Sequence, residues 1–256
     1  MSSVKFALAV AIVMFGGGAL GLVVQRLLPE KHITGGSREM IAAIVGLLTL
    51  LCALVTGLLI WTAYGVYSSQ NTQIQALASK VMEFDLALSD YGPETNPARA
   101  RLRDGLGKTI DQIWGANESD ANFVAQNFAA ALQNMRARQK ALAALHPSTD
   151  EQKNALSSAR STSDALAQAR MQMAFALSAP VSYPLLLIVV GWVVCLFCGF
   201  GLMSRGTATS VIALAVGSVA VASAVLVILE LSTPYSGVFR ASAAPLEQAL
   251  AVMGKE

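Results

Sequence analysis

Charge is what this sequence has least of. Asp, Glu, Lys and Arg make up 13% of its 256 residues while 54% are hydrophobic, whereas soluble globular domains carry about 25% charged residues. Such a balance, with a mean hydropathy of +0.54, argues against a water-soluble fold and for a membrane protein. The 18 basic and 16 acidic residues nearly cancel. The basic ones are scattered, so there is no concentrated positive patch to neutralise a phosphate backbone, and nucleic acid is not an expected partner. Histidine is almost absent: His32 and His146 each lie in a loop beside a proline-containing turn, and neither has a recognisable nucleophile or carboxylate partner in sequence. There is no Gly-rich phosphate loop, metal-ligand cluster or nucleophile elbow. The expectation is a protein that is not an enzyme, with no catalytic residue, cofactor or metal. Cysteine is equally sparse. Cys52, Cys195 and Cys198 fall in apolar stretches far from any His, Asp or Glu cluster, which gives neither a disulfide framework nor a zinc site. The Cys195-x-x-Cys198 spacing, inside a lipid-embedded helix, is read as packing.

What the chain does have is long apolar runs. A bilayer core about 30 Å thick needs about 20 apolar helical residues, and four segments satisfy that: Phe6 to about Gln25, bounded by Lys5 and Arg26; about Ile41 to Tyr67; about Tyr183 to Met203, entered through Pro180 and Pro184; and about Thr209 to Leu229. The first begins like a signal peptide, but Gly16-Gly17-Gly18 leads into more apolar residues and no convincing cleavage site, so it is kept as a membrane helix. Trp61, Tyr64 and Tyr67 form an aromatic belt at the end of the second. The fold class that follows is an all-α membrane protein, with four transmembrane helices and a helical extramembrane domain inserted between the second and third. Its parts are a first helix pair (1–67), the insert (68–179), a second helix pair (180–232) and a C-terminal motif with a short amphipathic helix (233–256). An even number of spans puts both termini and the insert on one side. The short loops hold Arg26, Lys31, Arg38 and Arg205, and the tails Lys5, Arg240 and Lys255, a difference too small to orient the chain.

The insert reads as helix throughout. Asn96-Pro97 predicts an N-cap followed by proline at N1, after which Leu102, Leu106, Ile110 and Ile113 keep helical spacing. Ser119 or Asp120 caps the next helix, with Val124, Phe128, Ala131 and Met135 on one face, and Ser148-Thr149-Asp150-Glu151 reads as a capping box opening the last. Gly92-Pro93, Gly115 to Asn117 and His146-Pro147 supply the turns.

No Gly or Pro interrupts the second helix between Val66 and Tyr91, so it can continue into the insert. Alternating steps of four and three from Ala42 give Gly46, Thr49, Ala53, Thr56, Ile60, Ala63, Tyr67, Gln70, Ile74, Leu77, Val81, Phe84 and Leu88, a single heptad seam. It is small and hydroxyl-bearing within the span and aliphatic beyond it. The membrane half, Thr49, Ala53, Thr56 and Ile60, reads either as a close-packing face or as the lining of a pore, where hydroxyls replace hydration. On the fourth helix, Ala213, Gly217, Ala220 and Ala224 form a further close-packing stripe, read first as contact within one subunit. Where that helix ends, Glu230 places a carboxylate at the membrane edge, followed by Pro234, Tyr235, Ser236, Gly237 and Arg240. Glu230 is a functional candidate by its position; alternatively Glu230 and Arg240 cap the helix end or pair with each other. Pro245 to Leu250 reads as a short amphipathic helix suited to lying along a membrane surface.

Arg26-Leu27-Leu28-Pro29 with His32, the runs Gly46-Leu47-Leu48-Thr49 and Ala53-Leu54-Val55-Thr56-Gly57-Leu58, the pattern Ile110-Asp111-Gln112-Ile113-Trp114, and above all Pro234-Tyr235-Ser236-Gly237-x-x-Arg240 with Pro245-Leu246 resemble the bacterial bestrophin-like membrane proteins over nearly the whole chain. The resemblance implies a multi-pass protein of the bacterial inner membrane. The layout is also similar to that of bestrophins proper, which implies a pentamer, mainly anion-conducting, whose pore is lined by the second helix and extended by a helical cytosolic domain. Two features depart from that pattern. The bestrophin neck is aromatic and bulky, whereas the matching seam has Thr49, Ala53 and Thr56, and no acidic cluster resembles the calcium clasp. Gating, selectivity and calcium dependence therefore do not carry over. The expected protein is a homo-oligomer, with copies of itself and membrane lipid as partners, that passes small ions. The alternative is a non-conducting scaffold or sensor whose insert binds a partner.

Overall fold

The computed structural model of the chain describes residues 3–27, 35–114, 121–177, 183–204, 206–233 and 239–253. Among these residues there are helices and turns but no strand. The helices are α1 (Ser3–Leu27), α2 (Gly35–Tyr91), a 3-10 turn (Pro93–Thr95), α3 (Asn96–Trp114), α4 (Ala121–Ala143), α5 (Asp150–Leu177), α6 (Tyr183–Met203), α7 (Ala208–Ser232) and α8 (Ala244–Met253). Four of them, α1, α2, α6 and α7, are long and apolar enough to cross a membrane. The chain divides into two compact units, Met1–Gly65 with Pro180–Ser232 and Val66–Ala179 with Thr233–Glu256.

In the first unit, glycine brings helices together. A methyl group on Gly17 would meet Val194 Cγ1 at 2.9 Å, one on Gly21 would run into the Cys198 carbonyl, and one on Gly201 into the Gly18 carbonyl. Only bare backbone on both helices permits that approach of α1 to α6, the means by which helices gain contact where lipid offers no hydrophobic drive. A methyl group on Gly18 would likewise meet Leu214 of α7 at 3.0 Å, and one on Gly199 would meet Val45 Cγ2 of α2 at 2.5 Å. At the end of α6, Arg38 donates to the Met203 carbonyl at 3.3 Å, one of the acceptors a helix C-terminus leaves open. Large apolar side chains point outward, among them Leu47, Leu54, Trp61, Ile212 and Val216, a surface suited to hydrocarbon rather than water.

The second unit is built on the outer stretch of α2. No helix breaker occurs before Gly92, whose φ of +123° ends the helix in a conformation that side-chain-bearing residues avoid. Ile74, Leu77, Val81, Phe84 and Leu88 are all buried, as the heptad spacing requires, in one cluster with Leu102 and Leu106 of α3, Leu156 and Leu166 of α5, and Leu246 of α8. Each such side chain is worth roughly 1.5 to 3 kcal/mol of burial, which lets the seam organise the unit.

Three local expectations are corrected. Asn96 is not an N-cap but is already helical, at φ −52° and ψ −40°. The turn before it is made by Thr95, whose buried hydroxyl has a single proton to share between the carbonyls of Leu88 at 2.5 Å and Gly92 at 2.7 Å. The capping box at α5 is displaced by one residue. Thr149 Oγ1 accepts from the Gln152 backbone amide at 3.2 Å, and Gln152 Oε1 reaches back to the Ser148 amide and hydroxyl, both at 2.9 Å, while Glu151 stays exposed. The helix at Pro245 turns its apolar face inward rather than presenting it to a surface: Leu246, Ala249 and Met253 are buried in the unit's own core. An amphipathic helix takes whichever apolar partner is nearest, and here it is α3. The proposed cap at Ser119 or Asp120 and the turn at Gly115 to Asn117 lie outside the described residues. So do the side chains of Ile113, Val124, Phe128 and Ala131; Met135 is half-buried.

Candidate functional site

The apolar stretch of α2 carries two neighbouring stripes, one of which is covered. Val45, Cys52, Leu59 and Ala63 are buried. Gly46, Ala53 and Ile60 each lie one position further along, about 100° around the helix. Gly46, Thr49 and Ala53 are exposed, while Thr56 and Ile60 are half-buried at the border between the stripes. A methyl group on Gly46, Gly57 or Gly65 would meet nothing within 4 Å, in contrast to Gly17, Gly18 and Gly21 of α1 and Gly199 and Gly201 of α6. Of the apolar window of α2, 17% is buried, against 39% for α1. Thr49 Oγ1 donates to the Val45 carbonyl at 2.7 Å, which satisfies its proton within the helix. On α7, Ala213 and Ala220 are exposed, and Ala224 and Gly217 are half-buried. A methyl group on Gly217 would meet the Phe197 ring at 3.3 Å, a contact within one chain. Cys52 fills the covered stripe of α2, and Cys195 is exposed on α6.

The C-terminal motif is only partly described, since Pro234, Tyr235, Ser236 and Gly237 lie outside the described residues, as does His32. Glu230 is buried in the last turn of α7, within the first unit. Arg240 belongs to the second unit, where it donates to the Trp114 carbonyl at 3.3 Å while Trp114 Nε1 donates to the Ala241 carbonyl at 2.8 Å. This exchange caps the C-terminus of α3 and brings together two segments far apart in sequence, the Ile110 to Trp114 pattern and the residues after Gly237. Arg103 donates to the Met253 carbonyl, so α8 is fastened to α3 at its far end as well.

Sequence reasoning missed one polar site in this unit. Asp85, buried one step off the seam, receives Arg99 in a bidentate pair, Nε to Oδ1 at 2.9 Å and Nη2 to Oδ2 at 2.7 Å. The only signal was a carboxylate adjoining Phe84 on a helix face that is otherwise apolar. Among the described residues, no three His, Cys, Asp or Glu side chains come together as a metal site would need.

Comparison with curated proteins finds no match, and comparison with solved structures finds none. The family model of the Bestrophin-like domain matches residues 12–246, a span that begins within α1, ends within α8 and includes both stripes of α2, the Trp114 to Arg240 exchange and Leu246. With most of its length accounted for in that way, the chain belongs to the bestrophin-like family.

Proposed function

We propose that this chain is the subunit of a homo-oligomer, a pentamer, in the bacterial inner membrane, and that α2 of each copy turns Thr49, Ala53, Thr56 and Ile60 toward the symmetry axis to line a path for small ions. The four apolar helices span the bilayer, with both termini and the helical unit on one side. The observation that carries this reading is the uncovered small-residue stripe of α2 beside a covered stripe on the same helix: Gly46 and Gly57 with nothing opposite them and Thr49 and Ala53 exposed. Packing within one subunit uses Val45, Cys52 and Leu59, so the adjacent stripe is free for another role. Hydroxyl oxygens and small side chains along a helix are what a narrow aqueous conduit needs. The reading is of a conduit, not a catalyst.

Cysteine accessibility tests it. In a background with Cys52, Cys195 and Cys198 replaced by alanine, Thr49→Cys and Thr56→Cys should react with a water-soluble thiol reagent, while Leu54→Cys, on the lipid-facing side and 75% exposed, should not. Ala53→Trp should lower ion flux into liposomes, because conduction through a narrow pore falls steeply with its radius. If Thr49→Cys and Thr56→Cys stay as unreactive as Leu54→Cys, and Ala53→Trp leaves permeability unchanged, the conduit is lost and the non-conducting scaffold or sensor takes its place.

A further inference from the structure

Helices α6 and α7 follow one another across a short connection between Met203 and Ala208, yet they pack little against each other. Near that connection they leave a cavity of about 340 Å³, within the range of about 300 to 1,000 Å³ found for ligand pockets. Phe197 and Phe200 of α6, in edge-to-face contact with ring centroids 6.4 Å apart, line it together with Ala213 and Leu214 of α7. Gly217 marks the end far from the connection, where an added methyl group would meet the Phe197 ring at 3.3 Å. Phe200 is 44% exposed and Ala213 is exposed, so the cavity opens on the outer surface of the first unit.

At the connection the lining changes character, because Ser204 and Ser210 bring hydroxyls to it. Ser204 Oγ accepts from the Gly206 amide at 3.3 Å and so keeps its own proton to donate. Gly206 has a φ of +66°, a turn that favours glycine, and a methyl group on it would meet Arg26 Nη2 at 3.4 Å and Nε at 3.6 Å. The guanidinium at the end of α1 therefore lies over the turn to which Ser204 is bonded. Arg38 of α2 gives its Nη2 to the carbonyl of Met203, the residue before Ser204, at 3.3 Å. Both arginines are exposed. No acidic residue occurs in 171–229, a segment whose only charged residue is Arg205, and Glu230 stands at the opposite end of α7. Glu39 adjoins Arg38 in sequence, which leaves Arg26 as the main cation at the mouth of the cavity.

An apolar cleft between membrane helices offers a hydrocarbon chain no hydrophobic gain over the bilayer itself, so the cleft alone selects nothing. A cation at its mouth does, because basic sites between membrane helices retain anionic headgroups. We propose that the groove between α6 and α7, with Arg26, binds an anionic phospholipid. One acyl chain lies along Phe197, Phe200 and Leu214, and the phosphate meets the Arg26 guanidinium and the hydroxyls of Ser204 and Ser210. The guanidinium fork suits two phosphate oxygens, and the apolar cavity beside it is what makes the ligand a lipid rather than free phosphate. The site uses no residue of the small-residue stripe of α2, so it stands apart from the conduction reading.

The full-length protein in a neutral detergent tests it. Dioleoyl phosphatidylglycerol, dioleoyl phosphatidylcholine and sodium phosphate are titrated separately at matched ionic strength, and the thermal midpoint and the lipid retained in native mass spectrometry are recorded. Phosphatidylglycerol should raise the midpoint saturably and stay bound at about tenfold lower concentration than phosphatidylcholine, the worth of one hydrogen bond to a charged group, while phosphate does neither. Arg26→Gln should remove that preference. Ser204→Ala should weaken retention of phosphatidylglycerol several-fold, and Ala213→Trp, which fills the opening of the cavity, should weaken retention of both lipids. Equal action of the two lipids on the wild type would overturn the site, as would phosphate matching phosphatidylglycerol or an undiminished preference in Arg26→Gln. Full lipid retention in Ala213→Trp together with a changed particle size would show that another copy of the chain covers the groove, and overturns it as well. Should Arg26→Gln fail to fold, unchanged retention in both Ser204→Ala and Ala213→Trp overturns it instead.

Discussion

The two units of this protein solve the problem of helix association in opposite ways, and α2 contributes residues to both. In the first unit the contacts that matter are made by absence: Gly17, Gly21, Gly199 and Gly201 leave room for backbone or a neighbouring side chain, while Leu8, Ile12, Leu50 and Leu58 stand exposed. In the second unit the contacts are made by bulk. Ile74, Leu88, Leu106, Leu166 and Leu246 are almost fully buried, and the exposed face of α5 carries Lys153, Arg160 and Asp164. Apolar surface is no reason for helices to associate in lipid, so shape decides. In water it is the main reason, so volume decides. The lesson is that exposure of a leucine means nothing until the solvent is named.

The strongest way to break this comparison is to fill a glycine. Gly21→Leu places a side chain where the Cys198 carbonyl already lies, and because the obstacle is backbone it cannot step aside. We expect loss of the folded, monodisperse protein on size-exclusion chromatography. Gly57→Leu, with nothing within 4 Å of the added carbon, should leave the fold of a single subunit intact. A tolerated Gly21→Leu would mean that shape does not govern the first unit.

Cavity formation is the corresponding test of the second unit. Leu88→Ala removes a side chain that is 1% exposed and should cost about 2 to 5 kcal/mol, read as a fall in the thermal midpoint. Leu54→Ala, equally large but 75% exposed in the first unit, should cost much less in detergent. Equal losses would show that Leu54 is covered by another copy, which would sharpen the case for assembly around α2.

Much of this division was legible in the sequence because it is written in charge and in breakers. The span Tyr183–Met203 is found as the spacing of charges and prolines predicts, and the lack of Gly or Pro between Val66 and Tyr91 yields one helix to Tyr91. The outer seam was legible because polar neighbours contrast with it. The covered stripe of α2 was not, since Val45, Cys52 and Leu59 differ too little in polarity from Gly46, Thr49 and Ala53 for periodicity to choose between them. Nor was the destination of α8, because amphipathicity names an apolar face without naming its partner. The Asp85–Arg99 pair joins residues on different helices, and single-sequence spacing does not reach across a turn.

A smaller effect of opposite sign is expected at Arg138. Its Nε and Nη2 are closed to solvent with no hydrogen-bond partner, and burial depresses its pKa in the folded state to about 10, so folding disfavours its charged form. That penalty is fully present below pH 10 and is relieved as pH rises from there toward the ordinary arginine value. Arg138→Gln should therefore be more stable than the wild type, by about 1 to 3 kcal/mol, the cost of leaving buried charged donors unsatisfied. The difference should be flat between pH 6 and pH 9, as set by that depressed value, and should shrink above pH 10. A destabilised variant at pH 7 would mean that packing of the arginine stem outweighs the stranded charge.

The smallest expected effect concerns a helix end. Thr149 Oγ1 accepts the Gln152 amide at 3.2 Å, one of the donors that the first turn of α5 cannot satisfy internally. The same Gln152 gives its Nε2 to the carbonyl of Tyr91 at 3.3 Å, so the cap also holds the start of α5 to the last residue of α2. Thr149 is exposed, and water can replace part of what the hydroxyl supplies. Thr149→Ala should accordingly cost only about 1 kcal/mol, a fall of roughly 2 to 4 °C in thermal midpoint for a chain of this size, and Thr149→Ser should restore most of it. The variant sharpens the contrast between the units because its loss should fall on the second alone. Hydrogen exchange at the Gln152 and Lys153 amides should quicken, while amides of α1 and α6 keep their protection. Faster exchange throughout α1 and α6 as well would show that the two units unfold as one, and the solvent-by-solvent account of their stability would fail.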